Sequence, residues 1–305
     1  MERKKSYFSI KLIVTMCFVC LFGVATNSAD VQAKALAKVQ GIAVENQQVE
    51  VDGAQVITGF QLSWNAVEGC AGYEIYSYGV ASKKWRSIGT TKETGYVVTN
   101  FMALSQQKIK VRAYTGSKKK KYGKYSKVVV CKASNAVCPL DANGAVAKDY
   151  TDRGSAEMAF ELQNKLRKKG KASKIKWSEG LYELCMIRVK QLPKDFSHNK
   201  YKKESKKFLK KKYGIKDRYT YIKKKGVNYG VLLIGAENIQ FGGKDYKEAM
   251  DIWKHSKGHR KNFMDKKRKS GAIANYVTKD GKSYWVAIFS DVNFDKEVKK
   301  LKKKK

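Results

Sequence analysis

The chain has 305 residues, 43% of them hydrophobic, and sets 64 Lys and Arg against 27 Asp and Glu for a formal net charge of +37. That length accommodates two ordinary domains. The charge points to polyanionic partners, yet no zinc-finger spacing, helix-turn-helix or aromatic-rich RNA-binding pattern occurs, so nucleic acid is not the expected one; lysine filling solvated faces explains the charge equally well.

The first residues have the layout of an export signal. A basic start is followed by an apolar run from Leu12 to Val24 and then by small residues up to Val31-Gln32-Ala33. The run is shorter than the roughly 18 residues a membrane span needs. Cleavage is expected after Ala33, with Ala29 as the alternative, so residues 1–33 are assigned to the signal. Neither Cys17 nor Cys20 follows a small-residue lipobox. The mature chain is therefore expected to be secreted, with lysine-rich faces that associate with anionic cell-wall polymers or a membrane surface. Beyond the signal lie Cys70, Cys131, Cys138 and Cys185, for which three pairings are open. Cys131 and Cys138 flank a domain junction at a spacing that suits a short closed loop, whereas Cys185 falls on an apolar helical stripe and reads as a core residue.

From residue 36 to 134 the pattern has period two and is punctuated by turns. Seven segments, VQGIAVE, ITGFQLSWNAV, GYEIYSYG, KWRSIGTT, TGYVVTN, QKIKVRAYTG and SKVVV, predict an antiparallel β-sandwich. Trp64, Tyr73, Ile75, Val111 and Ala113 are its expected core. The stretches Leu62-Ser63-Trp64-Asn65, Gly72-Tyr73-Glu74-Ile75-Tyr76, Val111-Arg112-Ala113-Tyr114 and Tyr122-Gly123-Lys124-Tyr125-Ser126 resemble a fibronectin type III domain, an immunoglobulin-like sandwich. Gln107 stands where such domains usually carry a tyrosine. The lysine-rich loop from Gly116 to Tyr125 reads as a solvated hairpin tip, with polyanion contact as the alternative.

Residues 135–150, NAVCPLDANGAVAK and the two that follow, lack periodicity and read as a linker. Residues 151–296 then switch to helical spacing. Ser155 is the expected cap of a helix through Met158, Ala159, Leu162 and Leu166 that ends at Gly170. A second helix from Ser178 places Leu181, Leu184, Cys185, Val189 and Leu192 on one stripe before Pro193. A third, from Asp245, carries Ala249, Ile252 and Trp253. Strands are expected at Val231–Leu233, Ala272–Val277 and Tyr284–Ser290, in an α+β arrangement. Between the second and third helices, residues 206 to 212 suit a basic helix with Phe208, Leu209 and Tyr213 on its apolar side. Residues 297–305 read as a disordered lysine tail.

All three histidines fall in this second module. Their contexts are Phe196-Ser197-His198 and the run from Trp253 through His255, Ser256, Lys257, Gly258, His259 and Arg260 to Asn262, with Ala236-Glu237-Asn238-Ile239 between them. This ordered set resembles the CAP superfamily of cysteine-rich secretory, antigen 5 and pathogenesis-related proteins, in its short bacterial form. The resemblance implies an α-β-α sandwich with a cleft lined by two histidines and acidic partners. His198 matches the first cleft histidine, Glu237 the acid of the box, and His259 the second histidine. Ala236 departs from the usual glycine, Lys257 from the usual proline, and Ser256 stands where eukaryotic members carry a second glutamate.

The resemblance makes His198, Glu237, Asn238, Ser256, His259 and Arg260 the expected ligand-binding cleft. His198, Glu237 and His259 form a candidate metal set, zinc being the ion such donors favour; a metal-free hydrogen-bonded cluster fits the same residues. The expected function is that of a secreted or cell-surface protein binding a small apolar lipid, a peptide or a metal. The alternative is a metal-assisted hydrolase of peptide or cell-envelope material that uses His198, Glu237 and His259, with Ser197 and Ser256 nearby. Binding takes precedence because catalysis is not general among such domains.

Overall fold

The computed structural model describes residues 35–116, 119–224 and 227–303. The export signal, Ser117-Lys118 of the lysine loop and Lys304-Lys305 of the tail lie outside the described residues.

Among the described residues the first module holds eight strands: β1 (Ala43–Val51), β2 (Ala54–Ser63), β3 (Gly72–Gly79), β4 (Lys84–Thr91), β5 (Gly95–Val98), β6 (Gln106–Thr115), β7 (Lys121–Tyr122) and β8 (Val129–Lys132). One sheet runs β1-β2-β5, and the other β4-β3-β6 with β7 and β8 both on β6. Alternation along β6 explains the layering. Ile109, Val111 and Ala113 are fully buried against Phe60, Leu62, Tyr73 and Ile75, while Lys108, Lys110 and Arg112 point the other way. Trp64 meets Tyr73 edge to face at 5.2 Å between centroids. On the outer face Lys110 sits over Tyr125 at 3.6 Å and Arg112 over Tyr122 at 3.6 Å, so these cations are already engaged by rings.

The second module contains α1 (Arg153–Lys169), β9 (Lys176–Trp177), α2 (Glu179–Val189), α3 (Tyr201–Tyr213), β10 (Tyr219–Lys224), β11 (Val227–Leu232), β12 (Glu237–Phe241), α4 (Tyr246–His255), α5 (Lys257–Met264), β13 (Ser270–Val277), β14 (Ser283–Ser290) and α6 (Phe294–Lys303). Its sheet is ordered β12-β14-β13-β9. Successive residues of the central strands face opposite layers. Ala272, Ala274, Val286 and Ile288 pack with α2, α3 and α6, whereas Ile273, Trp285, Ala287 and Phe289 pack with α1, α4 and α5. Both faces are covered, and the result is a three-layer α-β-α sandwich.

Several expectations need correction. Asp152, not Ser155, caps α1: its Oδ1 accepts from the Ser155 amide at 3.1 Å, a stronger arrangement because the carboxylate also faces the positive end of the helix. Ile252 of α4 is exposed and Met250 is the buried residue, since the stripe that meets the sheet runs through Ala249, Met250 and Trp253. The lysine tail is not a free extension through residue 303: Phe294, Val298 and Leu301 recur at helical spacing and dock α6 on the core. The Asp295 carboxylate then accepts from Ser178 Oγ and from the amides of Glu179 and Gly180 at 2.9–3.0 Å, closing the N-terminus of α2. All four described cysteines are free. Cys131 belongs to the core of the sandwich and Cys138 to that of the second module, so the short loop between them is not closed. Burial pushes the Cys131 thiol up to about 12.

The segment read as a linker is built into the junction. Val137 bridges Phe101, Leu140 bridges Val146, and Tyr150 bridges Val277. The Glu157 carboxylate on α1 reaches into the β3–β4 turn, where it accepts from the amides of Ala81 at 2.9 Å and Ser82 at 3.0 Å and from Arg86 at 2.9 Å. Arg153 joins it from its own helix at 2.9 Å. Asp152 Oδ2 accepts from the Met102 amide at 2.9 Å across the same junction. Gln107, in the place of the expected tyrosine, bonds Ser77 Oγ at 2.9 Å and lies against the start of α1 near Gly154.

Candidate functional site

Position 188 of α2 continues the apolar stripe set by Leu181 and Leu184, one turn on, and is an arginine. Arg188 Nε meets Glu237 Oε1 at 2.7 Å and its second arm meets Oε2 at 3.3 Å. The two side chains are each 1% exposed. The guanidinium also donates to Gln191 Oε1 at 2.6 Å and to the Ser197 carbonyl at 3.0 Å, so it ties the end of α2, the His198 loop and the first residue of β12 together.

Glu237 Oε2 in turn holds His198 Nδ1 at 2.8 Å. An ionised carboxylate only accepts, so Nδ1 carries the proton of this bond, and Nε2 is the ring nitrogen that Glu237 does not engage. The His198 side chain is 55% exposed. It opens onto a cleft of about 450 Å³ whose walls include Tyr201 and Lys202 from the start of α3, Ala236 and Asn262. Tyr201 is pinned, donating to the Gly235 carbonyl at 2.8 Å, and burial pushes its hydroxyl far above the ordinary phenol range.

Asn238 faces the opposite way from Glu237 along β12 and is fully buried. Its amide donates to the His259 carbonyl at 3.0 Å and accepts from Asn262 at 2.8 Å, which fixes α5 against the sheet. His259 is half-buried. Burial, and then the charge of His198, lower its pKa below the ordinary imidazole value, and its Nδ1 is enclosed without a hydrogen-bond partner among the described residues.

The expected site residues therefore divide. His198 and Glu237 are bonded at the cleft, His259 stands beside it, and Asn238 supports it from beneath. Ser256 marks the break between α4 and α5 and accepts from the Arg260 amide through its carbonyl at 2.8 Å. Arg260 is exposed. His255 is exposed and turned back on Asp251. Ser197 Oγ donates to Asp195 at 2.6 Å. Arg188 and Tyr201 were missed by the sequence reading; a cation set within an apolar helical stripe was the signal available for Arg188.

As a metal set, the three candidate residues fit poorly. Among the described residues no three His, Cys, Asp or Glu side chains converge on a point that would hold an ion. Both Glu237 oxygens are engaged, so the carboxylate serves as the orienting partner of an imidazole. A larger groove of about 820 Å³ lies elsewhere, between Val80 and Lys83 of the first module and Met158, Leu162 and Met250 of the second, and contains none of the histidines.

The three-layer sandwich and the His198–Glu237–His259 order coincide with a family model, CAP, the cysteine-rich secretory protein family, matched over residues 160–289. Residues 160–289 are a CAP domain. Ahead of the CAP domain stands the fibronectin type III-like sandwich. No curated protein matches the chain. Among solved structures it is similar to an extracellular protein containing a SCP domain from Bacillus anthracis, at 14% identity over 72% of this chain and 86% of that one, with a TM-score of 0.34. It is also similar to an outer surface protein from Borrelia burgdorferi, at 12% identity over 44% and 90%, TM-score 0.33. For the sixth fibronectin type III domain of human fibronectin type III domain containing protein 3 the figures are 13%, 37% and 100%, with a TM-score of 0.27.

Proposed function

We propose that this is an exported envelope protein whose CAP domain binds a small ligand in the His198–Glu237 cleft. The observation that carries the reading is the buried Arg188–Glu237 pair. Burying two charges is costly unless they are well paired, and here the pair holds one imidazole at the mouth of a cavity with Nε2 unbonded among the described residues. That is the organisation of a site whose first contact is oriented by a second layer. Neither Ser197 nor Ser256 bonds an imidazole among the described residues, so binding is preferred to hydrolysis. No described helix is long and apolar enough to cross a membrane.

The test uses His198→Ala, a substitution at an exposed side chain that leaves the core untouched. Wild-type protein recovered from its producing cells should carry a small molecule detectable by mass spectrometry of the denatured extract. The variant should carry at least about tenfold less, the scale of losing one or two hydrogen bonds from a small ligand. Equal recovery from both proteins would overturn the reading.

The lysine faces are proposed to hold the protein on an anionic polymer of the envelope. On α3, Lys202, Lys203, Lys206, Lys207, Lys210 and Lys211 are exposed, and Lys299, Lys302 and Lys303 are exposed on α6, which packs on the same layer. Retention on isolated wall material should fall steeply as salt rises from about 0.05 to about 0.5 M, because the screening length shrinks to a few ångströms. Salt-independent retention would refute it.

A further inference from the structure

We infer that the His198–Glu237 cleft receives an oxyanion group of its ligand, a phosphate or carboxylate, rather than a divalent cation. The inference rests on the reading of that cleft as a ligand site and adds the chemistry of what enters it.

The argument is one of charge compensation. Among the described residues, Glu237 is the only acidic side chain lining the cleft. Its charge is met at 2.7 Å by Arg188, which is equally buried, so the pair contributes no net charge to the cavity. The oxygen left over is taken by His198 Nδ1. Sites for divalent cations draw their affinity from anionic or several neutral donors free to turn toward the ion. An ion here would approach a carboxylate already neutralised, with a guanidinium directly behind it.

The elements packed around the cleft add positive charge. Lys202 stands on its wall. In the preceding loop Lys200 and Asp195 cancel at 3.1 Å. The first turn of α3 sets one acid, Glu204, against Lys202 and Lys203, and α5 carries Lys257, Arg260 and Lys261 with no acid from Lys257 to Met264. A concave site with walls of one sign concentrates the field and draws in ions of the other. A donor for an oxyanion is at hand in Lys202 Nζ.

The experiment follows the ring nitrogens of His198 and His259 by NMR in the purified full-length protein, in separate titrations with inorganic phosphate, zinc chloride and a neutral acyl amide. Phosphate should shift the His198 ring saturably, and Lys202→Glu should weaken its Kd at least about tenfold. Lys84→Glu, the same charge change on the first module, should leave it unaltered. Stoichiometric saturation by zinc without a response to phosphate overturns the inference, as does an unchanged phosphate Kd in Lys202→Glu. A response to the neutral amide alone sinks the oxyanion assignment and leaves the ligand cleft standing. Silence toward all three probes sinks the cleft reading itself. Vesicles containing phosphatidylglycerol separate the sources: displacement of phosphate by vesicles assigns the oxyanion to a lipid headgroup, and persistence of phosphate binding in their presence assigns it to a soluble ester.

Discussion

Glu157→Ala is expected to uncouple the two modules and to destabilise the protein by about 3–5 kcal/mol, the cost of stripping a buried charge network of its central partner. The carboxylate is 1% exposed and, among the described residues, is the only acid that pairs with Arg86. Removing it leaves Arg86 and the amides of Ala81 and Ser82 without this acceptor, while Arg153 keeps Glu179 at 2.6 Å. In calorimetry the wild type should melt as one unit, and the variant should show two transitions or one at a clearly lower temperature. A variant that melts with the wild type would mean the junction is held elsewhere. The same contact predicts an acid-side loss. Burial alone would raise the Glu157 pKa, but the Ser82 amide, Arg153 and Arg86 outweigh it and hold the group below the usual carboxylate value. A depressed folded-state pKa means the stabilisation is complete above the unfolded value near 4.5 and is lost as pH falls through the lower folded one. Glu157→Gln should flatten stability against pH in that window.

The second large effect is at Arg188. Arg188→Met keeps the volume and the apolar contacts of the α2 stripe but leaves Glu237 as a buried, uncompensated charge, and about 3–5 kcal/mol of stability should be lost. Arg188→Met with Glu237→Gln should recover much of that loss, because the charge needing a partner is gone. The double variant should nonetheless bind ligand poorly, since no carboxylate then orients His198 through Nδ1. Urea unfolding of the two single variants and the double one measures the coupling. Additive losses would show that the two side chains are energetically independent despite their 2.7 Å contact.

Both effects arise at contacts that join distant parts of the chain, and this marks where sequence reading stopped. Locally encoded features were legible. The alternation in β6 named Ile109's neighbours Val111 and Ala113 as core, and the stripe of α2 named Leu181, Leu184, Cys185, Val189 and Leu192, all of them buried. The helix starts near Ser178 and Asp245 were legible, and in the structure each side chain caps its helix by accepting from amides two or three residues on. The tail was misread because charge dominated its composition, while three apolar residues at helical spacing were enough to dock α6.

What the sequence determined by itself was the division into a β-sandwich and an α+β module and the ordered set of His198, Glu237 and His259, whose resemblance to the CAP superfamily implied the α-β-α layering. These depend on periodicity and on residue types at fixed spacing, which act over a few residues. Only the tertiary structure decided that Glu237 belongs first to Arg188, that Lys202 forms a wall of the cleft, and that the apparent linker and Glu157 lock the modules together. Those outcomes depend on which side chains meet across 49 to 76 residues of chain, and a charged residue reads alike in sequence whether it ends in solvent or in a buried pair.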